Sequence, residues 1–78
     1  MAFYLTNQSL VNLKEKVEEI EHRLKHDVAK EIGKAADLGD LSENAEWEAA
    51  IELQRNLQHE VRRLKEKIRT AQIIEELP

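Results

Sequence analysis

The sequence predicts an all-α fold, a long antiparallel two-helix coiled-coil hairpin with an acidic tip loop. Three observations support this: two long segments carry apolar residues at steps of three and four, a glycine-containing break separates them, and their patterns mirror each other. Of 78 residues, 36% are charged and only two are glycine, which suits surface-rich helices. A chain this short rarely encloses a deep pocket, which argues against a free-standing enzyme.

The first helix is predicted over about 7–37. Thr6 has the hydroxyl with which an N-cap accepts a hydrogen bond from a first-turn amide. Leu5 and Leu10 have the spacing of a hydrophobic staple around this cap. The apolar residues that follow form a coiled-coil seam with one break in the heptad rhythm. They are Leu10, Leu13, Val17, Ile20, Leu24, Val28 and Ile32.

A tip loop is predicted at 38–42 and a second helix at about 43–75. Gly39 suits the left-handed position that ends a helix, and Asp40 or Ser42 can cap the helix that follows. The alanines that begin the second helix are small enough to let the two helices approach closely. The second seam consists of Leu53, Leu57, Val61, Leu64, Ile68 and Ala71.

The two seams are related by reflection about a point between Asp40 and Leu41. Residues at equal distances from this point then face each other, so that Leu13 meets Ile68. An antiparallel hairpin needs this reflection, whereas a parallel self-associating coiled coil does not. The open end gathers apolar residues that a further domain or a second copy of the chain would cover. They are Phe3, Tyr4, Leu5, Ile73, Ile74 and Leu77.

Charge is distributed unevenly along the chain. The net charge of −4 argues against indiscriminate binding to duplex nucleic acid. Residues 37–48 hold five acids and no Lys or Arg, whereas the charged residues of 55–69 are mostly basic. One face of the basic segment forms a stripe that suits either contact with RNA or an acidic channel, or an ordinary solvated coiled-coil flank. This basic stripe consists of Arg55, Arg62, Lys65 and Arg69.

Asp40 and Glu43, the tip acids, are three residues apart, so both carboxylates can lie on one side of a helical turn. Paired oxygens suit a hard cation such as Mg²⁺, but two carboxylates make only half a site. The same spacing also fits a capping box with Asp40 as N-cap. Trp47 either covers the alanine-rich stretch or contacts a partner. His22 and His26 lack a third ligand and are interpreted as solvated surface residues.

Other features of the sequence exclude several sites. Cysteine is absent, so no disulfide or thiolate metal site forms, and this is compatible with the cytoplasm. No apolar run is long enough for a signal peptide or a membrane span, so no membrane association is predicted.

The residues at the break form a specific motif. It reads Gly39-Asp40-Leu41-Ser42-Glu43-Asn44-Ala45-Glu46-Trp47, followed by Glu48-Ala49-Ala50. This string resembles the tip motif GDLxENAEY of the bacterial transcript cleavage factors GreA and GreB. Leu5-Thr6 and Ala71-Gln72-Ile73-Ile74 resemble the start and end of that family's amino-terminal coiled-coil domain. The resemblance, which is GreA-like, therefore covers essentially the whole chain.

The resemblance implies a function and a set of partners. The hairpin is expected to enter the secondary channel of RNA polymerase, where Asp40 and Glu43 help to hold the second catalytic Mg²⁺ and position a water. The polymerase then hydrolyses the 3′ end of backtracked nascent RNA, so the chain is an accessory factor and not an enzyme. Mg²⁺ is shared only in the complex, and DNA is reached only indirectly through the polymerase. Expected partner contacts are Ser42, Asn44, Trp47 and the basic stripe.

This chain departs from the family pattern at three positions. Trp47 replaces the usual Tyr, Ala36 stands where an arginine often precedes the tip, and Ile51 stands where a basic residue is common. The absence of these two cations favours one alternative, a channel-binding modulator or inhibitor without cleavage activity. A purely structural coiled-coil module is a second alternative. The family's carboxy-terminal domain of FKBP-like fold would begin where this chain stops.

Overall fold

A computed structural model of the chain describes residues 3–41 and 43–74. It shows a hairpin with extents of 60 × 23 × 13 Å, which confirms the predicted fold class. The first arm consists of helix α1, a five-residue π-helical turn and helix α2, and the second arm is helix α3. In chain order the elements are β1 (Phe3–Leu5), α1 (Asn7–Arg23), the π turn (Leu24–Val28), α2 (Ala29–Asp37), α3 (Ala45–Thr70) and β2 (Ala71–Ile73).

The first arm begins at the predicted cap. Thr6 has extended backbone dihedrals, and its hydroxyl oxygen accepts a hydrogen bond from the Ser9 amide at 3.1 Å. The Thr6 carbonyl accepts from the Leu10 amide at 3.1 Å, which starts the helical ladder. Thr6 therefore satisfies one amide that has no partner within the helix.

The break in the heptad rhythm is the π turn. From Ile20 to Ile32 the seam advances in steps of four residues, and each such step rotates an α-helical seam by about 40°. A π turn holds more residues per turn and so cancels much of this rotation. Val28, at the end of the π turn, is 1% exposed. The irregularity thus keeps the first arm's apolar residues facing the second arm.

The core is a single apolar stripe between the arms, and all its members belong to the predicted seams. Ala35 and Ala50 are also buried, near the tip, where small side chains allow close approach. No polar or charged residue is buried in the described part of the chain. The buried cluster is Val17, Ile20, Val28, Leu57, Val61 and Leu64, flanked by Leu13, Leu24, Ile32, Leu53 and Ile68.

The second helix is shorter than the predicted 43–75. It begins at Ala45 and ends at Thr70, and Ala71–Ile73 form β2, which pairs in parallel with β1. The Ile74 amide continues the ribbon by donating to the Leu5 carbonyl at 2.7 Å. Two strands that simply continued antiparallel arms would run antiparallel, so at least one strand turns away from its arm. Three-residue strands are too short to show a periodic signal in the sequence.

The open end carries exposed apolar side chains. Tyr4, Ile73 and Ile74 are all exposed, as the sequence suggested. Leu77 and the side chain of Phe3, which were assigned to the same apolar group, lie outside the described residues. Among the described residues, no helix combines the length and apolar character that crossing a membrane requires.

Candidate functional site

The first arm ends in a left-handed turn at the tip loop, residues 38–44. Gly39 has a φ of 84°, as predicted, and its amide donates to the Ala36 carbonyl at 3.1 Å. Asp40 follows with a φ of 20°. Aspartate is one of the few residues with a side chain that tolerates positive φ, so the backbone itself favours a short polar residue at this position.

Asn44 is the N-cap of the second arm. Its side-chain oxygen accepts from the Trp47 amide at 2.9 Å. Its side-chain amide donates to the carbonyls of Ala35 at 2.6 Å and Gly39 at 3.3 Å. Asn44 therefore joins the end of the first arm, the tip loop and the start of the second arm.

The prediction that Asp40 caps the second helix was wrong. Asp40 is not the N-cap, and the capping box from Asp40 to Glu43 does not form, because α3 starts two residues after Glu43. Ser42, the other predicted cap and an expected partner contact, lies outside the described residues. Asparagine is as good an N-cap as aspartate and also has two N–H donors, which here bond carbonyls that a carboxylate cannot satisfy.

The tip acids lie together at the far end of the hairpin. Both side chains are exposed, and the Glu43 amide donates to the Asp40 carbonyl at 3.2 Å, which holds the two residues in one turn. They line a shallow open hollow of about 450 Å³, together with Leu38, Gly39, Asn44, Ala45 and Glu46. Among the residues that the structure describes, no cation lines this hollow, so its charge is negative.

Glu46 is a third carboxylate on the hollow, and it was not identified from the sequence as a site residue. Glu43 precedes the N-cap of α3, so the spacing of three residues between Glu43 and Glu46 is not a helical signal, and the folded loop brings the two together. Glu46 also lies in the first turn of α3, where the helix dipole favours an acid.

The chemistry of the tip suits a hard cation that another molecule helps to bind. Carboxylate oxygens are the ligands that Mg²⁺ prefers, and both tip acids are exposed. Within the described residues, no group of three His, Cys, Asp or Glu side chains is placed to hold a metal ion.

Trp47 lies in the first turn of α3, half-buried, with its backbone amide bonded to Asn44. Ile51, one turn later, is also half-buried. The Trp47 ring thus leaves part of its surface accessible beside the tip loop, so the alternatives of packing and partner contact are compatible with each other.

The basic stripe separates into two pairs. Lys65 Nζ lies 3.3 Å from Glu21 Oε2 on the other arm, and Arg69 Nε donates to Glu66 Oε2 at 3.0 Å. By contrast, the exposed Arg55 and Arg62 form no side-chain hydrogen bond or ion pair within residues 3–41 and 43–74. Within the basic stripe, the two cations that lack such a partner among the described residues are therefore the ones nearer the tip.

The two histidines of the first arm lie side by side. The ring centroids of His22 and His26 are 4.3 Å apart with a 41° angle between the ring planes, and both residues are exposed. His26 lies within the π turn. The pair belongs to the solvated face opposite the seam.

Fold and site together define a class of protein: a thin helical projection that presents acidic side chains at its end. The family model described as transcription elongation factor, amino-terminal, for GreA and GreB, matches residues 3–73. The chain belongs to the GreA/GreB transcription elongation factor family and corresponds to its amino-terminal domain. This confirms the resemblance found in the tip motif.

Individual relatives support the same family. The chain is 33% identical to transcription elongation factor GreA of Thermotoga neapolitana over 92% of this chain and 46% of the relative. It is 37% identical to GreA of Flavobacterium johnsoniae, over 94% and 46% of the two chains. For GreA of Chlamydia pneumoniae the identity is 41%, over 88% of this chain and 10% of the relative.

The chain thus spans less than half the length of these curated relatives. No solved structure shows a significant match.

Proposed function

We propose that the chain binds RNA polymerase in its secondary channel and stimulates cleavage of the 3′ end of backtracked nascent RNA. The observation that carries this proposal is the placement of Asp40 and Glu43 in one exposed turn at the end of a narrow projection 60 Å long. A projection of this shape can reach a recessed catalytic centre, and family membership supports a role in transcription elongation.

The tip acids act by completing a metal site that the polymerase provides. A second Mg²⁺, when bound, supplies Lewis-acid stabilisation and lowers the pKa of the attacking water. Asp40 and Glu43 would contribute carboxylate oxygens to that ion and would orient the water, since both exposed residues lie in one turn. The hydrolytic activity belongs to the polymerase, and the chain is its accessory.

Neutral, nearly isosteric substitutions test the role of each tip acid. Asp40→Asn and Glu43→Gln remove a charge, and Asn also tolerates the positive φ at position 40. Each is expected to slow cleavage on the order of 100-fold, the upper end of what even outer-shell changes at metal sites cost. The measurement is the rate at which backtracked polymerase complexes shorten a 5′-labelled RNA when the purified chain is added.

The matched control is Glu52→Gln, which removes one exposed carboxylate from the second arm outside the tip loop. It is expected to leave the cleavage rate within about twofold, since an exposed charge this far from the tip is screened by salt. Cleavage at the wild-type rate by both tip variants would refute the role assigned to Asp40 and Glu43.

A second candidate function is channel binding without cleavage. It is favoured by the neutral residues Ala36 and Ile51 near the tip and by the carboxylate partners of Lys65 and Arg69, which reduce the positive charge available to RNA. The same assay separates the two functions. Slower elongation without release of short RNA supports this candidate, whereas shortened transcripts support cleavage.

A further inference from the structure

We propose that Asn44 is a positioning residue that fixes the two tip acids, and that it acts through hydrogen bonds within the chain. This inference rests on the proposed function for its catalytic consequence, and on the geometry of the tip loop alone for its structural part. It differs from the partner contact that the motif suggested for Asn44.

The side chain of Asn44 is committed to the hairpin itself. Both of its N–H groups donate within the chain, one to Ala35 and one to Gly39, and its oxygen accepts from Trp47. A primary amide has only two N–H donors, so none remains for a partner. Ala35 is buried, and its carbonyl, which also accepts from the Leu38 amide at 3.2 Å, therefore ties Asn44 to the end of the first arm next to the core.

The hydrogen bond from the Asn44 side chain to the Gly39 carbonyl closes a hydrogen-bonded ring, and this ring contains the segment that carries the tip acids. Gly39 immediately precedes Asp40, and Asn44 immediately follows Glu43. Both ends of the segment that carries the two carboxylates are therefore joined through one side chain. The internal hydrogen bond from the Glu43 amide to the Asp40 carbonyl lies within this ring.

This hydrogen-bonded ring matters because Asp40 has a positive φ, which is uncommon for a residue other than glycine and needs support from its surroundings. Displacing a reactive group by about 1 Å can cost a factor of about 100 in rate. A loosened loop would thus leave both acids present but badly placed.

The substitution Asn44→Ser separates the capping of α3 from the two hydrogen bonds that the Asn44 side-chain amide donates. Serine caps helices about as well as asparagine, but its short hydroxyl cannot replace the two donations to the carbonyls of Ala35 and Gly39. Asn44→Ser is therefore expected to keep α3 intact, with a thermal midpoint within a few degrees of the parent. Asn44→Ala removes both functions and is expected to lower the midpoint as well. The matched control is Asn56→Ser, the same substitution at an exposed position of α3.

The structural test uses the chain alone. Hydrogen exchange of the Glu43 amide, followed by NMR, is expected to become at least about tenfold faster in Asn44→Ser and to stay unchanged in Asn56→Ser. Core amides such as that of Val61 serve as the reference for global stability. Unchanged protection of Glu43 in Asn44→Ser overturns the proposal, whatever happens in cleavage.

The functional test measures cleavage as a function of chain and Mg²⁺ concentration. Asn44→Ser is expected to lower the maximal cleavage rate by about 10- to 100-fold, to need more Mg²⁺ for half-maximal rate, and to leave the half-saturating chain concentration unchanged. A higher half-saturating chain concentration with an unchanged maximal rate would instead show a binding contact and overturn the positioning role. If the parent chain does not stimulate cleavage by the polymerase, the proposed function fails, while the exchange data still decide the structural part.

Discussion

At the scale of single residues, the exposed cations of the second arm differ in what they are free to do. Lys65 bridges the two arms through Glu21, and Arg69 is held by Glu66 three residues earlier. Such exposed pairs contribute little to stability because solvent screens them, so their main effect is to occupy the cations. Arg55 and Arg62, lacking such partners among the described residues, are the better candidates for contact with RNA or polymerase.

The pair of Glu66 and Arg69 gives a titration that can be measured directly. The hydrogen bond from Arg69 lowers the pKa of the Glu66 carboxyl below its ordinary value. A lowered pKa in the folded state stabilises the chain above the unfolded pKa, and this stabilisation is lost as the pH falls through the folded value. We expect carbon-detected NMR to show a lower pKa for Glu66 in the parent chain than in the Arg69→Gln variant. An equal pKa in both chains would contradict the pairing.

The tip shows how far residue patterns alone reach. The resemblance of the tip motif singled out Asp40 and Glu43, since their spacing alone also fits a capping box, and their role at a metal ion stays a prediction. The hydrogen bonds of the Asn44 side chain were missed because the shortest of them joins residues nine positions apart, on different arms, and needs the folded hairpin to exist. Glu46 was missed for a related reason, since the hollow it lines is formed by both sides of the loop.

At the scale of elements, periodic features were predictable and short ones were not. Both arms follow from long apolar repeats, and the starting cap at Thr6 follows from local hydroxyl chemistry. The π turn appeared in the sequence only as a run of four-residue steps, which indicates irregularity without specifying its form. Strands β1 and β2 depend on pairing between the two ends of the chain, so no local pattern reveals them.

The π turn can be removed by deleting one residue. Deletion of the exposed Lys25 shortens the step from Leu24 to Val28 from four residues to three, which restores alternating steps along the first arm. We expect the variant to form a continuous α-helix that keeps both residues in the core, with a free energy of unfolding within about 1 kcal/mol of the parent. Circular dichroism during urea unfolding measures the free energy of unfolding of both chains.

Deletion of Glu19 is the contrasting variant. Glu19 is also exposed, but it lies in the regular helix between Val17 and Ile20. Its loss therefore rotates the apolar residues before the deletion by about 100° relative to those after it. This variant is expected to lose most of its cooperative unfolding. If the two deletions destabilise the chain equally, the π turn does not act as the register correction inferred here.

At the scale of the whole molecule, elongation is the property that matters. The radius of gyration is 17.3 Å, whereas a globular chain of this length would have about 11–12 Å. Each arm buries only one stripe, so the hairpin depends on every core residue meeting its counterpart at the same distance from the tip. The reflection of the two seams is thus what holds the tip acids at the far end of the projection.

A balanced duplication tests this reflection. Repeating residues 14–20 in the first arm and 61–67 in the second inserts one heptad at matching distances from the tip, and the seam steps continue without interruption. The added core residues are copies of Val17, Ile20, Val61 and Leu64, which are all buried. We expect a rod about 10 Å longer in small-angle X-ray scattering and a thermal midpoint raised by about 4–8 °C, corresponding to about 1 kcal/mol. Duplicating 14–20 alone leaves a heptad without a counterpart and should lower the midpoint; equal midpoints for the balanced and unbalanced chains would show that the arms do not pair by reflection.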